Sequence, residues 1–347
     1  MRILELNTER TWRGGERQTV YDMLGHTLQG NQSMVICRKG FPLAKACKKH
    51  NLEHKEITAH RQLIWFMLVK ARSFDIIHCQ TSKTQQLAVF TKWFHGRKVV
   101  YTRRLDFVPK GFFSKLKYKW TSHVVAITPA IKKILEGVGI KKITVISEVV
   151  EKKELDKERA QKFLASVNAG NKKIIGTTAA FVQHKDPLTM VKAIKKLSEL
   201  RTDFIFIHFG DGALLPDVEK AIADSNIGAF YHVAGFMQNV EDMFSVFDVF
   251  VMSSEEEGLG SSVLDAFMYK VPVVSTNAGG LADVVEGNGL LSRVKDHESL
   301  AKNIDQILND SALRQNLVEK AYKKATEEHS LQTISKHYAD LFSRLIS

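Results

Sequence analysis

Residues 253–283 read SSEEEGLGSSVLDAFMYKVPVVSTNAGGLAD, and this stretch decides how the chain folds. It opens at a strand end, crosses an acidic loop and a glycine, enters a helix, and returns in a short apolar strand at 272–275. A glycine pair, Gly279 and Gly280, follows. Glu257 falls on the loop, and Asp265 falls inside the helix that Gly260, Ser261 and Ser262 begin. Two carboxylates therefore flank a helix start whose free amides and positive dipole end suit a phosphate. Carboxylates hold sugar or ribose hydroxyls, and the helix start holds a diphosphate. Together they describe a site for a sugar nucleotide.

The same alternation of short apolar strands and amphipathic helices runs through the whole chain. Strands are expected at 2–6, 33–36, 76–78, 99–102, 124–127 and 143–146, and again at 174–177, 204–209, 231–234, 249–252 and 272–275. Helices are expected between them, among others at 15–28, 187–200, 240–244 and 264–269. The fold class that follows is α/β, with two doubly wound, Rossmann-like domains. The charged run 151–159 and the polar stretch 168–173 mark the boundary, giving an N-terminal domain over 1–150 and a C-terminal one over 151–329. Beyond His329 a helical period places Ile334, Tyr338, Leu341 and Leu345 on one face.

Composition excludes several classes. With 347 residues, 44% hydrophobic and 25% charged, the chain has the make-up of a globular protein of two ordinary domains. Its three cysteines, Cys37, Cys47 and Cys79, form no C-x-x-C pair, which argues against a disulfide framework or a zinc site. The start, MRILELNTER, lacks the apolar core of a signal peptide, and the run 63–69 is too short to span a bilayer. The expected location is the cytoplasm or the inner membrane face. Net charge is +12, unevenly spread: residues 1–150 carry +17 and the remainder −5. One half is therefore expected to face something anionic, whether nucleic acid, lipid or an acidic acceptor sugar.

The 253–283 stretch resembles the donor signature of the family-four retaining glycosyltransferases, E-G-F-G-x3-L-E-A-M-A-x-G-x-P-V-V-x-T-x2-G-G-x2-E. Glu257, Gly258, Gly260, Leu264, Ala266, Pro272, Val273, Val274, Thr276, Gly279 and Gly280 match it. Asp265 and Asp283 stand where the family has glutamate, and Lys270 where it has glycine. The resemblance implies the GT-B architecture, two such domains facing across a cleft, with residues from about 330 onward crossing back onto the first domain. It also implies transfer with retention and without a cofactor or metal; a D-x-D motif is absent from the sequence.

Further site residues follow from the resemblance. Lys185, in A-A-F-V-Q-H-K-D-P, aligns with the lysine of a G-R-L-x3-K-G pattern that grips the donor diphosphate, while Ala180 falls at its arginine. Lys185 and Glu257 are the expected catalytic pair, the lysine opposing the charge of the departing phosphate and the glutamate touching the transferred sugar. Donor contacts are expected from Gly14 and Gly15, Gly210, Phe236 and Met237, Gly260, Ser261 and Ser262, Asp265, and Gly279 and Gly280. The Gly14–Gly15 pair is explained equally by a tight turn, and an aromatic at 236 equally by packing. Arg103 and Arg104 end a strand at the edge where α/β proteins bind ligands, and arginine suits bidentate recognition of an anionic acceptor. A structural ion pair with Asp106 competes with that reading. His78 and His60 read as core histidines.

Residues 107–120, FVPKGFFSKLKYKW, interleave lysines with aromatics, the make-up of a segment that meets anionic headgroups, of a single-strand nucleic-acid surface, or of a partly buried helix with solvated lysines. The expected partners are a nucleotide-sugar donor, UDP-linked by family habit, and a glycan or lipid-linked acceptor of cell-surface polysaccharide or lipopolysaccharide synthesis. A sugar-nucleotide epimerase or hydrolase on the same fold is the alternative. A basic nucleic-acid-binding protein is the rival from another class; the helix-start carboxylates would repel a phosphate backbone, and no nucleic-acid motif is present.

Overall fold

Strands buried on both faces read as continuous apolar runs, and the chain uses them to build two parallel sheets. The structure, a computed structural model, describes residues 1–109 and 111–347. The chain divides into two compact units, the first made of residues 1–149 and 329–347, the second of residues 150–328.

In the first unit β1 (Arg2–Leu6), β2 (Gln32–Arg38), β3 (His54–Ile57), β4 (Ile76–Cys79), β5 (Lys98–Arg103), β6 (His123–Ala126) and β7 (Ile143–Val145) form one sheet in the order β3-β2-β1-β4-β5-β6-β7. Each strand pair described is parallel. The first helix, Gly14–Leu28, follows β1 directly, and the last, Leu331–Ile346, packs on it. Ile334, Tyr338, Leu341 and Phe342 of that last helix are buried among Ile3, Ile76, Val100 and Val125 from four strands. Burying each such side chain is worth about 1.5–3 kcal/mol, which is what holds the terminal helix in this unit.

In the second unit β8 (Lys173–Thr178), β9 (Phe204–Phe209), β10 (Tyr231–Gly235), β11 (Val249–Met252), β12 (Val273–Thr276) and β13 (Leu290–Ser292) form a parallel sheet in the order β10-β9-β8-β11-β12-β13. Its core is set by Ile175, Phe206, Val249 and Val274 from the strands and by Ile194, Leu197, Leu300 and Ile304 from the helices Pro187–Leu200 and His297–Asn309. The charged run expected as a boundary carries the helix Lys157–Ser166, which belongs to this unit, and the stretch expected as a helix at 240–244 is a 3₁₀ turn, Val240–Ser245.

Both strand orders reverse direction once, between β1 and β4 and between β8 and β11. At such a reversal the loops leaving adjacent strands run to opposite faces, opening a crevice at the strands' carboxyl ends where doubly wound sheets bind ligands.

Candidate active site

In the second unit the loop after β8 and the loop after β11 straddle the reversal. The first carries the 3₁₀ turn Gln183–Lys185, and the second runs from Ser253 to the helix Ser261–Met268. They are laced together by backbone: the amides of Glu255 and Glu256 donate to the His184 carbonyl at 2.9 and 3.2 Å. The Ser253 hydroxyl donates to the carbonyls of Lys185 and Asp186 at 3.2 and 2.9 Å. Asp186 lies in the left-handed region (φ 44°), stands where the family pattern has glycine, and caps the helix Pro187–Leu200 through Oδ1 to the Thr189 amide.

This framework brings together the two residues expected to carry the chemistry. Lys185 Nζ donates to Glu257 Oε2 in a close ion pair, and the two side chains are only 19% and 14% exposed. A partly buried, charge-assisted bond of this kind is shielded from the screening that weakens surface pairs. The Glu257 carbonyl accepts from the Gly280 amide at 2.8 Å, and the Thr276 hydroxyl donates to the Ser254 carbonyl at 2.6 Å, so the loops after β8, β11 and β12 form one connected wall.

Gly260 caps the helix Ser261–Met268 with φ +78°. A Cβ there would lie 2.5 Å from Leu281 Cδ2 and 3.7 Å from Glu257 Cγ, which places the helix start, with Ser261 and Ser262, against the Glu257 side chain and the Gly279–Gly280 turn. Asp265, in the second turn of the helix, is buried at 8% exposure. Gly260→Ala should therefore cost about 1–3 kcal/mol, read by chemical denaturation. An unchanged midpoint would show that the left-handed residue is not required.

Gly210 follows β9, and its amide donates to the Gly235 carbonyl at 2.9 Å. A Cβ at Gly210 would stand 1.9 Å from the Ala179 carbonyl oxygen, so only glycine lets the loops after β8 and β9 approach this closely. Phe236, after Gly235, is 76% exposed and Met237 is half-buried.

Three polar groups that sequence reasoning missed lie near the end of β8, in the loop after it and in the loop after β11. Thr177 Oγ1, Asp186 Oδ2 and Ser254 Oγ are buried with no hydrogen-bond partner among the described residues. Buried polar atoms are nearly always paired, so three unpaired ones on β8 and on the loops after β8 and β11 stand out from the rest of the unit. An unpaired hydroxyl or carboxylate cannot be foreseen from its residue type, because burial alone makes it informative.

In the first unit Gly14 and Gly15 open the first helix after β1. Glu16 accepts from the Arg13 amide at 2.8 Å, and burial pushes its carboxyl above the usual range. A Cβ on Gly15 would touch Arg104 Cδ at 3.9 Å, so this turn and the end of β5 adjoin. Arg104 donates through Nε to Glu148 at 2.8 Å and through Nη1 to Gln80 Oε1 at 2.7 Å, with Asp22 at 3.9 Å; its carboxylate partners are these rather than the neighbouring Asp106. Arg103 is buried, with Nε on the Leu105 carbonyl at 2.7 Å, Nη2 on the Phe107 carbonyl and Nη1 on the Tyr118 hydroxyl at 3.1 Å. Its guanidinium is thus committed to holding its own loop.

Beneath Arg104 lies a buried polar cluster. Glu5 accepts from His26 Nε2 at 2.8 Å, His78 Nδ1 at 2.7 Å and Gln80 Nε2 at 2.7 Å. Burial pushes the Glu5 carboxyl up, but the charge and hydrogen bonds of His78 and His26 outweigh it and hold the group well below the usual carboxylate range. Asp22, also on Gln80, is pushed up to about 6 by burial and by the charge of Glu5. His78 is a core histidine, closed on its other side by Thr102 at 2.7 Å, and Thr102 in turn meets the Tyr338 hydroxyl at 3.1 Å.

Of the interleaved segment 107–120, Lys110 lies outside the described residues. The helix Phe112–Trp120 buries Tyr118, and Lys117 Nζ meets the Ser82 hydroxyl. Phe107, Val108, Phe113, Lys115 and Lys119 are exposed. Among the described residues no helix is long and apolar enough to cross a membrane.

Each unit is a doubly wound α/β sheet, and the switch point of the second carries a lysine, a glutamate and a helix start. Residues 158–324 match the family model described as Glycosyl transferases group 1. The chain is 27% identical over 237 residues to the lipopolysaccharide core biosynthesis glycosyltransferase LpsE of Rhizobium meliloti; the match covers 65% of each chain, just under two thirds of that relative's length. It is 23% identical over 325 residues to an N,N'-diacetylbacillosaminyl-diphospho-undecaprenol alpha-1,3-N-acetylgalactosaminyltransferase of Campylobacter jejuni, covering 90% of this chain and 82% of the relative. The solved structure of Anabaena Alr3699/HepE in complex with UDP and glucose matches with a TM-score of 0.86 and 18% identity over 99% of this chain and 100% of that one, a likeness of fold. The group 1 glycosyltransferase match thus falls on residues 158–324, within the second unit, and the chain has the GT-B fold.

Proposed function

We propose that this protein is a retaining glycosyltransferase that moves a sugar from a nucleotide-sugar donor, UDP-linked, to a glycan or lipid-linked acceptor in cell-surface polysaccharide or lipopolysaccharide synthesis. The observation that carries the reading is the Lys185–Glu257 pair held at the second unit's switch point against the helix start at Gly260. The relatives' names add support, since they include enzymes of lipopolysaccharide core synthesis and of diphospho-undecaprenol-linked sugars. The fold neighbour bound to UDP and glucose points the same way.

In this reading the donor diphosphate lies on the amides of Gly260, Ser261 and Ser262 and on Lys185. Asp265 accepts the ribose hydroxyls, Gly210, Phe236 and Met237 border the base, and the Gly279–Gly280 turn closes the wall. Glu257 holds Lys185 in place before the donor arrives and contacts the transferred sugar afterwards. The bond from sugar C1 to the phosphate oxygen breaks, a new bond to the acceptor oxygen forms on the same face, and the acceptor's proton passes to the departing phosphate. Positive charge for the leaving diphosphate comes from Lys185 and amide dipoles, which is the support for a reaction without a metal. In the first unit Gly14, Gly15 and Arg104 are proposed to meet the substrates, with Arg103 shaping their edge. Residues 107–120 are proposed as a membrane-facing segment.

The test is a panel of UDP-sugars incubated with the protein, read by melting temperature and by NMR of the product's anomeric proton. A bound donor at a hundredfold excess over its Kd should stabilise the fold by about 2.7 kcal/mol. The product should keep the donor's anomeric configuration. Inversion would remove the retaining mechanism, and no nucleotide-dependent stabilisation would remove the donor reading.

A further inference from the structure

The first unit carries a buried cation that this reading leaves unused. Strands β1 to β5 run parallel, so the loops that leave them gather on one edge of the sheet, the edge that also holds the Gly15 turn and Arg104. Arg38, the last residue of β2, is only 7% exposed. Its Nη1 donates to the Thr58 carbonyl at 2.5 Å and its Nη2 to His60 Nδ1, the nearer ring nitrogen, at 2.8 Å, while Nε has no partner. With Nδ1 accepting, the neutral ring carries its proton on Nε2, which lies 3.4 Å from the Thr8 hydroxyl. His60 is thus half-buried beside a guanidinium at the loop ends rather than closed in the core. Both groups that Arg38 meets are uncharged, and among the described residues no carboxylate pairs with it. Taking a guanidinium out of water is normally offset by an opposite charge, so a buried one without a counter-charge calls for an anion.

The surroundings add to the positive charge. Burial, then the charges of Arg38, Lys83 and Arg10, hold the His60 imidazole below its usual range, so both of these further cations act on the same ring. Their side chains are exposed. Lys83 lies in the first turn of the helix Ser82–Phe90 after β4, and the Arg10 guanidinium sits 5.6 Å from the centre of the Phe41 ring, beside the loop after β2. The neighbouring carboxylates are engaged elsewhere. Glu56 holds Lys48 at 2.6 Å and the Gly40 amide at 3.0 Å, and the charge of the exposed Glu9 falls on the Glu16 carboxyl.

One fixed guanidinium, an imidazole N–H, a hydroxyl and two exposed cations are the donors that an oxyanion needs: the buried charge attracts it and the donors orient its oxygens. Arg103 and Arg104, to which the sequence pointed for such a role, are committed to backbone carbonyls and Tyr118 and to Glu148. We propose that Thr8, Arg10, Arg38, His60 and Lys83 form a subsite for an oxyanion carried by the acceptor sugar, a carboxylate or a phosphate, and so select an acidic acceptor over a neutral one. The assignment of the anion to the acceptor rests on the transferase reading; binding of the anion at this edge does not.

The experiment is a ligand-observed NMR titration of the full chain, without nucleotide, using D-glucuronate, glucose 6-phosphate and neutral glucose. At least one of the acids should bind about tenfold more tightly than glucose, and the tighter of the two names the oxyanion. Arg10→Ala with Lys83→Ala should erase most of that preference while the melting temperature stays unchanged. Arg38→Met should erase it too, with the anion-free melting temperature close to the wild-type value, because an apolar side chain of similar length replaces a buried cation that lacks a counter-charge. Should Arg38→Met not fold, the exposed pair decides alone. Acids and glucose binding equally to the wild type, or an acid preference that survives in Arg10→Ala with Lys83→Ala, would overturn the proposal. Stabilisation by UDP-sugars is read separately, so a failure here leaves the donor reading standing, and a failure there leaves the anion site standing.

Discussion

Lys185→Ala should lower turnover about a hundredfold while circular dichroism and domain content stay unchanged. A donor aimed at developing oxyanion charge in a partly buried site is worth about 10²–10³ in rate. In the proposed mechanism Glu257 gives Lys185 that aim: both side chains are largely buried, and both loops are fixed by the backbone bonds from Glu255 and Glu256 to His184. Glu257→Gln removes the charge that positions the lysine and a contact proposed for the sugar. The two substitutions should therefore be non-additive, with the double variant losing little more than the worse single one, as expected of groups acting as a unit. Turnover unchanged in Lys185→Ala with every donor accepted by the wild type would remove the lysine from the mechanism.

The second large effect falls on stability. Glu5 is fully buried and receives His26, His78 and Gln80. Glu5→Gln replaces the carboxylate shared by His26, His78 and Gln80 with an amide that has a single acceptor oxygen, and breaking a buried charged hydrogen-bond cluster on one side costs about 3–5 kcal/mol. The first unit's melting temperature should fall by about 10 °C at neutral pH. Because the folded-state pKa of Glu5 lies well below its ordinary value of 4.5, its stabilisation is complete above pH 4.5 and is lost progressively as the pH falls from there toward the folded-state value. Asp22 works in the opposite sense: its pKa of about 6 lies above the ordinary 3.8, so its ionisation as the pH rises past 6 costs stability. The gap between wild type and Glu5→Gln should hence narrow below pH 4.5. Equal melting temperatures at pH 7 would contradict the account of this cluster.

Strands that are central and dry were legible. The expected ranges 2–6, 204–209 and 249–252 coincide with β1, β9 and β11, since residues facing helices on both sides leave an unbroken apolar run. The strands that escaped, β3 (H-K-E-I) and β13 (L-L-S), lie at sheet edges, where one flank is solvated and the apolar run is short or absent. Lys185 and Glu257 were each recognisable from motif spacing, but their pairing across 72 residues was not, because it depends on the reversal between β8 and β11. The cluster around Glu5 was equally hidden: its members come from β1, the first helix and β4. One signal was present. A lone acid inside R-I-L-E-L, a strand otherwise apolar on both faces, has to find cations or donors within the core.

The most direct measurement is a crystal structure of the protein with a hydrolysis-resistant UDP-sugar. The account predicts diphosphate density within hydrogen-bond reach of the Gly260–Ser262 amides and the Lys185 ammonium, with the ribose on Asp265. Donor density resting elsewhere on the chain, with the Lys185–Glu257 pair untouched, would contradict it.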